Sequence, residues 1–140
     1  MGMLGGFTYL GRTYAPHPLT IVYANDIDPA ITAVFDDNFK LKAVVQDIRE
    51  VKTDEIPKHD ILTGGFPCQS FSIVAQNPPR LGFKDEKGRL FFEMCRTLKD
   101  KKPKAFVAEN VKGILSANNH QAFPLIIKEF EDCGYIVSHY

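Results

Sequence analysis

Little in the sequence ties it to export, to a membrane or to a partner attracted by bulk charge. Only three of the 140 residues are cysteine, Cys68, Cys95 and Cys133. They are odd in number, far apart and never spaced as Cys-x-x-Cys, which disfavours a disulfide framework and a zinc site and points to reduced thiols in a cytoplasmic setting, with no metal. No apolar run approaches the roughly 20 residues of a membrane span, and no charged-then-apolar leader opens the chain. Charge of one sign is missing as well, because 17 basic residues balance 17 acidic ones. A nucleic acid must then be met by a local patch rather than by the field of the whole protein. Internal repeats, charge blocks and linkers are absent, so residues 1–140 read as one domain. What is present, 44% hydrophobic, 24% charged and 11% aromatic residues, is the composition of a soluble globular domain able to bury a core.

Short strand-like runs alternate with segments of helical period, the pattern of an α/β chain with a mostly parallel sheet. Strands are expected at residues 20–24, 42–46, 60–63, 104–108 and 135–138. A helix is expected over 30–39, with Asp28 as N-cap, Pro29 at the first helical position and Ile31, Val34 and Phe35 on one face. A second helix follows over 90–99, where Leu90, Met94 and Leu98 recur at four-residue intervals with Phe91 and Cys95 beside them. Phe123, Ile126, Ile127 and Phe130 form the stripe of a third, which Gly134 can end. Residues 69–88 are irregular and begin directly after a cysteine. Loops of that length inside a compact domain are usually functional.

In open α/β sheets, ligands bind beyond the carboxyl ends of the strands, so strand-ending residues carry the first candidates. A glycine cluster opens the chain, Gly2, Gly5, Gly6 and Gly11, and Asp26 follows Gly6 by 20 residues. That is the spacing expected between a dinucleotide-type glycine turn and a carboxylate that accepts from both ribose hydroxyls. Asp47, at the end of the next strand, is suited to an adenine amino group. Glycine-rich starts are common, however, and strand-ending Asp residues often serve only as caps or turn formers.

Three further segments are more specific: Gly64-Gly65-Phe66-Pro67-Cys68-Gln69-Ser70-Phe71-Ser72, then Lys87-Gly88-Arg89-Leu90-Phe91-Phe92, then Ala108-Glu109-Asn110-Val111. In order and spacing these resemble the motifs of the DNA (cytosine-5) methyltransferases, which use S-adenosyl-L-methionine, and the resemblance extends over nearly the whole chain. It implies a Rossmann-like methyltransferase fold, mostly parallel with helices on both faces and incomplete at the C-terminal end. Double-stranded DNA is the implied substrate, in a bacterial or phage restriction-modification setting. Cys68 is the implied nucleophile and Glu109 the implied acid. Cofactor binding is carried onto Gly5, Gly6, Phe7, Asp26, Ile27, Asp47, Ile48, Pro67 and Leu90, and substrate binding onto Phe66, Gln69, Ser72 and Asn110.

The chemistry explains why these residue types belong together. Carbon 5 of cytosine is a poor nucleophile, and addition of a thiolate to carbon 6 converts the ring into an enamine-like species that can take up a methyl group. A carboxyl group must meet the charge that develops at ring nitrogen 3, and an enclosed apolar site would help Glu109 keep its proton. None of this occurs inside a stacked duplex, so the base must be flipped out. The loop after Cys68 is the expected lid, where Arg80, Lys84, Lys87 and Arg89 outnumber Asp85 and Glu86.

The sequence also departs from the family. Met1 falls inside the opening Phe-x-Gly-x-Gly motif, Asp26 replaces the commoner Glu, and neither the Gln-Arg-x-Arg segment nor a target-recognition region is present. The chain therefore reads as a partial catalytic domain needing a complementary methyltransferase polypeptide, with self-association as the other way to cover its apolar edge. A non-catalytic cofactor-binding or interaction remnant is the alternative, and an RNA-directed relative a further one.

Overall fold

The computed structural model describes residues 3–67, 86–117 and 119–139. Cys68, Gln69, Ser72 and most of the expected lid lie outside the described residues. The chain divides into two compact units, Met1–Val45 and Gln46–Tyr140.

The first unit opens with a hairpin that sequence periodicity did not suggest. Strand β1 (Phe7–Tyr9) pairs antiparallel with β2 (Arg12–Tyr14), in a register that sets Phe7 opposite Tyr14. Leu10 and Gly11 between them have φ of 47° and 75°, the left-handed pair of a two-residue turn whose twist matches that of the strands. A βαβ unit follows. Strand β3 (Asn25–Asp26) lies parallel to β4 (Val44–Val45), and α1 (Pro29–Asn38) connects them. The expected cap is there, because the Asp28 side chain accepts from the Ala30 N–H at 2.8 Å and Pro29 opens the helix.

Two expectations for this unit are corrected. Residues 20–24 form no ladder; Ala24 contributes one carbonyl, to the Val44 N–H, and pairing begins only at Asn25. Ile31 and Val34 are exposed, and the buried residue of α1 is Thr32. A two-residue strand pair is too small a surface to cover a whole helix face.

The second unit holds β5 (Ile61–Gly65), α2 (Glu86–Lys101), β6 (Ala105–Glu109) and α3 (Ala122–Glu131). Strands β5 and β6 are parallel, from Ile61 opposite Ala105 to Gly65 opposite Glu109. Helix α2 begins four residues before Leu90, so Gly88 belongs to its first turns rather than to the irregular stretch. Its buried face runs through Phe91, Cys95 and Leu98, one position round from the Leu90 and Met94 stripe, and both of those are half-buried. With Phe66, Ile114, Ala122, Ile126 and Phe130 these residues form the core. Phe91 sits edge-on to Phe66 and to Phe130, each at 5.1 Å between ring centroids. Such pairs add about 0.5–1.5 kcal/mol beyond the area they bury.

Gly134 ends α3 with φ of 94°, as its position implied. Residues 135–139 carry no ladder, so the expected fifth strand is not formed, although Tyr135 holds the segment by donating to the Pro103 carbonyl at 2.7 Å. Among the described residues the chain is thus an α/β protein with short parallel strand pairs and three α-helices. No helix among them is long and apolar enough to cross a membrane.

Candidate active site

In the second unit, the candidate residues gather at the carboxyl ends of β5 and β6. The parallel register sets Gly65 beside Glu109. A Cβ placed on Gly65 would lie 3.3 Å from Glu109 Oε2, so glycine lets the carboxylate settle against the backbone just ahead of Pro67. Glu109 itself is exposed at this sheet end. One residue further on, the Asn110 side-chain amide donates to the Phe66 carbonyl at 2.7 Å, and its oxygen accepts from the Val111 N–H at 2.9 Å. Asn110 thereby joins the two strand ends.

The Phe66 ring is 8% exposed and packs among Phe91 and Phe130, while its part-buried carbonyl accepts from Asn110. The Asn110 amide thus ties Phe66 to the end of β6.

Asp47 and Ile48 follow β4 in sequence and belong to this second unit. Asp47 Oδ1 accepts from the Arg49 N–H at 2.9 Å, and Arg49 Nε lies 2.9 Å from both carboxylate oxygens. Hydrogen bonding from the Arg49 side chain, then from its backbone, holds the Asp47 carboxyl below the ordinary range. A carboxylate offers about four acceptor sites. Three Arg49 donors, the backbone N–H, Nε and Nη2, meet it here, so that each oxygen carries two contacts. Pro67 and Leu90 are half-buried.

The first unit carries the glycine turn and the first acid. Gly5 and Gly6 both have positive φ, 66° and 72°, and a Cβ on Gly5 would stand 1.9 Å from the Ala15 carbonyl oxygen. Only glycine fits there. The Phe7 ring stacks on Tyr14 with centroids 4.9 Å apart. Asp26 Oδ1 accepts from the Asp28 N–H at 2.9 Å, which orients this carboxylate at the start of α1, where the helix dipole favours negative charge. Ile27 beside it is exposed. Asp26 in the first unit and Asp47 in the second are each carboxylates that accept from a backbone N–H two residues on. Sequence reading overlooked Tyr14 and Arg49, the partners of Phe7 and Asp47. Arg49 was open to detection as a cation two residues beyond a strand-ending Asp.

Among the described residues no group of three or more His, Cys, Asp or Glu is arranged to hold a metal ion. Residues 2–140 match the C-5 cytosine-specific DNA methylase family. The Type II methyltransferase M.FnuDI of Fusobacterium nucleatum is 47% identical over 117 residues, 84% of this chain and 33% of that protein. M.Bsp6I of a Bacillus species is 40% identical over 119 residues, again 84% of this chain and 37% of the relative. M.HaeII of Haemophilus aegyptius is 41% identical over 118 residues, covering 84% and 36%. The chain spans about a third of the length of these relatives, and it belongs to the C-5 cytosine-specific DNA methylase family.

Proposed function

We propose that the chain carries the catalytic part of a DNA (cytosine-5) methyltransferase, acting on a flipped cytosine through a covalent adduct with Cys68. The observation that carries this reading is the Asn110 to Phe66 tie. It brings the strand end at Phe66 beside the strand end that bears Glu109, which supports a reading in which Cys68, two residues on in sequence, and Glu109 address one ring. Cys68, as thiolate, adds to carbon 6 of the cytosine. Glu109 meets the charge that this addition places at ring nitrogen 3, by proton donation or hydrogen bonding. Loss of the proton from carbon 5 to a base then expels Cys68 and restores the aromatic ring.

S-adenosylmethionine, when bound, supplies the methyl group for carbon 5. The residues that would hold it are Gly5, Gly6, Phe7, Asp26 and Ile27 of the first unit and Asp47, Ile48, Pro67 and Leu90 of the second. Gln69 and Ser72 are assigned to the extruded base and its phosphates by motif alone. Cysteine chemistry, genomic DNA and this cofactor all fit a cytoplasmic setting in bacteria or phage, and a full Rossmann-like sheet is the scaffold that the parallel pairs support.

A complementary methyltransferase polypeptide is part of the proposal. Val107 on β6, together with Val111 and Ile136, leaves apolar surface exposed beside a strand edge, and such an edge is stabilised when another strand or layer covers it.

Incubation with S-adenosylmethionine and a duplex containing 5-fluorocytosine tests the reaction, because fluorine at carbon 5 prevents the elimination that would free the enzyme. We expect an adduct that survives denaturation, strengthened by a polypeptide supplying the remaining two-thirds of a relative and lost in Cys68→Ser. An adduct that persists in Cys68→Ser, or none formed with the complement and a folded chain present, overturns the reading in favour of a cofactor-binding or interaction remnant.

A further inference from the structure

We infer that Arg96 is a positioning residue for the adenine-facing carboxylate of Asp47, acting through a single peptide plane. The inference rests on the cofactor reading above, which makes Asp47 and Ile48 part of the nucleoside site.

Arg96 projects from α2 and makes hydrogen bonds to four acceptors. Its Nε donates to Glu93 Oε2 at 2.7 Å, Nη1 donates to Thr53 Oγ1, and Nη2 donates to the carbonyls of Ile48 at 3.2 Å and Val51 at 3.0 Å. The Thr53 hydroxyl in turn donates to Asp100 Oδ2 at 2.7 Å, a second link between the same segment and the same helix. The segment from Gln46 to Ile56 contains no ladder and only the 3-10 turn Thr53–Glu55. Val51 and Ile56 anchor it from below with 2% and 4% exposure. Ile48 is only half-buried, and the half-buried Arg96 guanidinium holds its carbonyl.

The consequence follows from covalent geometry. The Ile48 carbonyl and the Arg49 N–H belong to one planar peptide unit and point in opposite directions. Arg96 holds the carbonyl end, and the N–H end donates to Asp47 Oδ1 at 2.9 Å. Fixing the plane therefore fixes the direction in which the Asp47 carboxylate faces an amino group. Nη2 reaches the Ile48 and Val51 carbonyls while Nε and Nη1 of the same planar fork are held by Glu93 and Thr53, a fixed geometry that a flexible lysine ammonium does not reproduce.

The test is calorimetric titration of the full chain with S-adenosylhomocysteine and with its hypoxanthine counterpart. The counterpart presents a carbonyl where adenine presents an amino group, so it should be rejected by a carboxylate aimed at that position. Wild type is expected to prefer the adenine ligand. Arg96→Met is expected to weaken that ligand about tenfold or more, the scale of one lost charge-assisted hydrogen bond, and to erase the preference. Asp47→Ala should do the same, and the double variant should be no worse than the singles, because both remove one coupled element. If Arg96→Met does not fold, Arg96→Lys and Thr53→Val are the milder substitutions, and each should reduce the preference.

A variant with a lower melting temperature but unchanged affinity and preference would show that Arg96 is a stabilising contact only, and would overturn the inference while leaving the cofactor reading intact. Binding of neither ligand by folded wild-type chain would instead overturn the cofactor reading, and this inference with it.

Discussion

Asn110 and Phe66, 44 residues apart in sequence, are joined by a hydrogen bond of 2.7 Å from a side-chain amide to a backbone carbonyl. The bond crosses the carboxyl ends of two parallel strands at the point where one leads into Pro67 and Cys68 and the other presents Glu109. Removing the amide takes a hydrogen bond from a part-buried carbonyl. Asn110→Ala should therefore lower unfolding stability by about 1–2 kcal/mol, read from the urea midpoint. Asn110→Asp should cost at least as much near neutral pH, since a carboxylate offers no donor and faces a carbonyl dipole.

Glycines of the first unit should respond to alanine in a graded way. At Gly5 a methyl group would meet the Ala15 carbonyl oxygen at 1.9 Å, with φ of 66°, so Gly5→Ala must displace backbone. Gly6→Ala would meet only the Pro16 side chain, at 3.6 Å, and Gly11→Ala would meet nothing within 4 Å. Those two should pay the left-handed backbone penalty alone, about 1 kcal/mol each. Amide exchange across Phe7–Tyr14 measures the series, and a Gly5→Ala hairpin as protected as that of Gly11→Ala would contradict it.

Cys95 is 3% exposed, and burial, then the neighbouring Cys133, pushes its thiol up from the ordinary value. Only the thiolate reacts readily with alkylating reagents. In native protein at pH 8, iodoacetamide should leave Cys95 unmodified over times that label it fully in urea. Peptide mass spectrometry reads the difference directly.

Acid should destabilise the fold through identified carboxylates. Arg49 holds Asp47 low, the Ala43 N–H is the main cause at Asp36, and Lys104 is the main cause at Asp60. A group depressed in the folded state contributes stability that is fully present above its unfolded value, about 3.9 for Asp. That contribution is lost as pH falls through the folded value. Urea midpoints should hold steady from neutral pH to about pH 5 and then fall, with a shallower fall in Arg49→Gln. An unchanged slope in that variant would remove Asp47 from the account.

Local signals made much of this architecture legible in advance. Asp28 and Pro29 announced α1, the apolar recurrence around Phe91 and Leu98 announced α2, and Gly134 marked the end of α3. The motif residues Gly65, Glu109 and Asn110 were placed at strand ends, where β5 and β6 put them. Periodicity was less informative where an element depends on a partner. Residues 20–24 and 135–138 have strand-like composition, yet a strand exists only when another edge accepts its hydrogen bonds.

The sequence by itself determined the family, the chemical types of the candidate residues and their order along the chain, because these reside in short motifs and cap signals that act over a few residues. The tertiary structure decided which of those side chains were used for building. Phe66 gave its ring to the core, Asn110 gave its amide to the Phe66 carbonyl, and Arg96 reached 48 residues back to hold Ile48. Such roles are set by contacts between residues far apart in sequence, where burial obliges each polar group to find a partner, and no local pattern encodes which partner that will be.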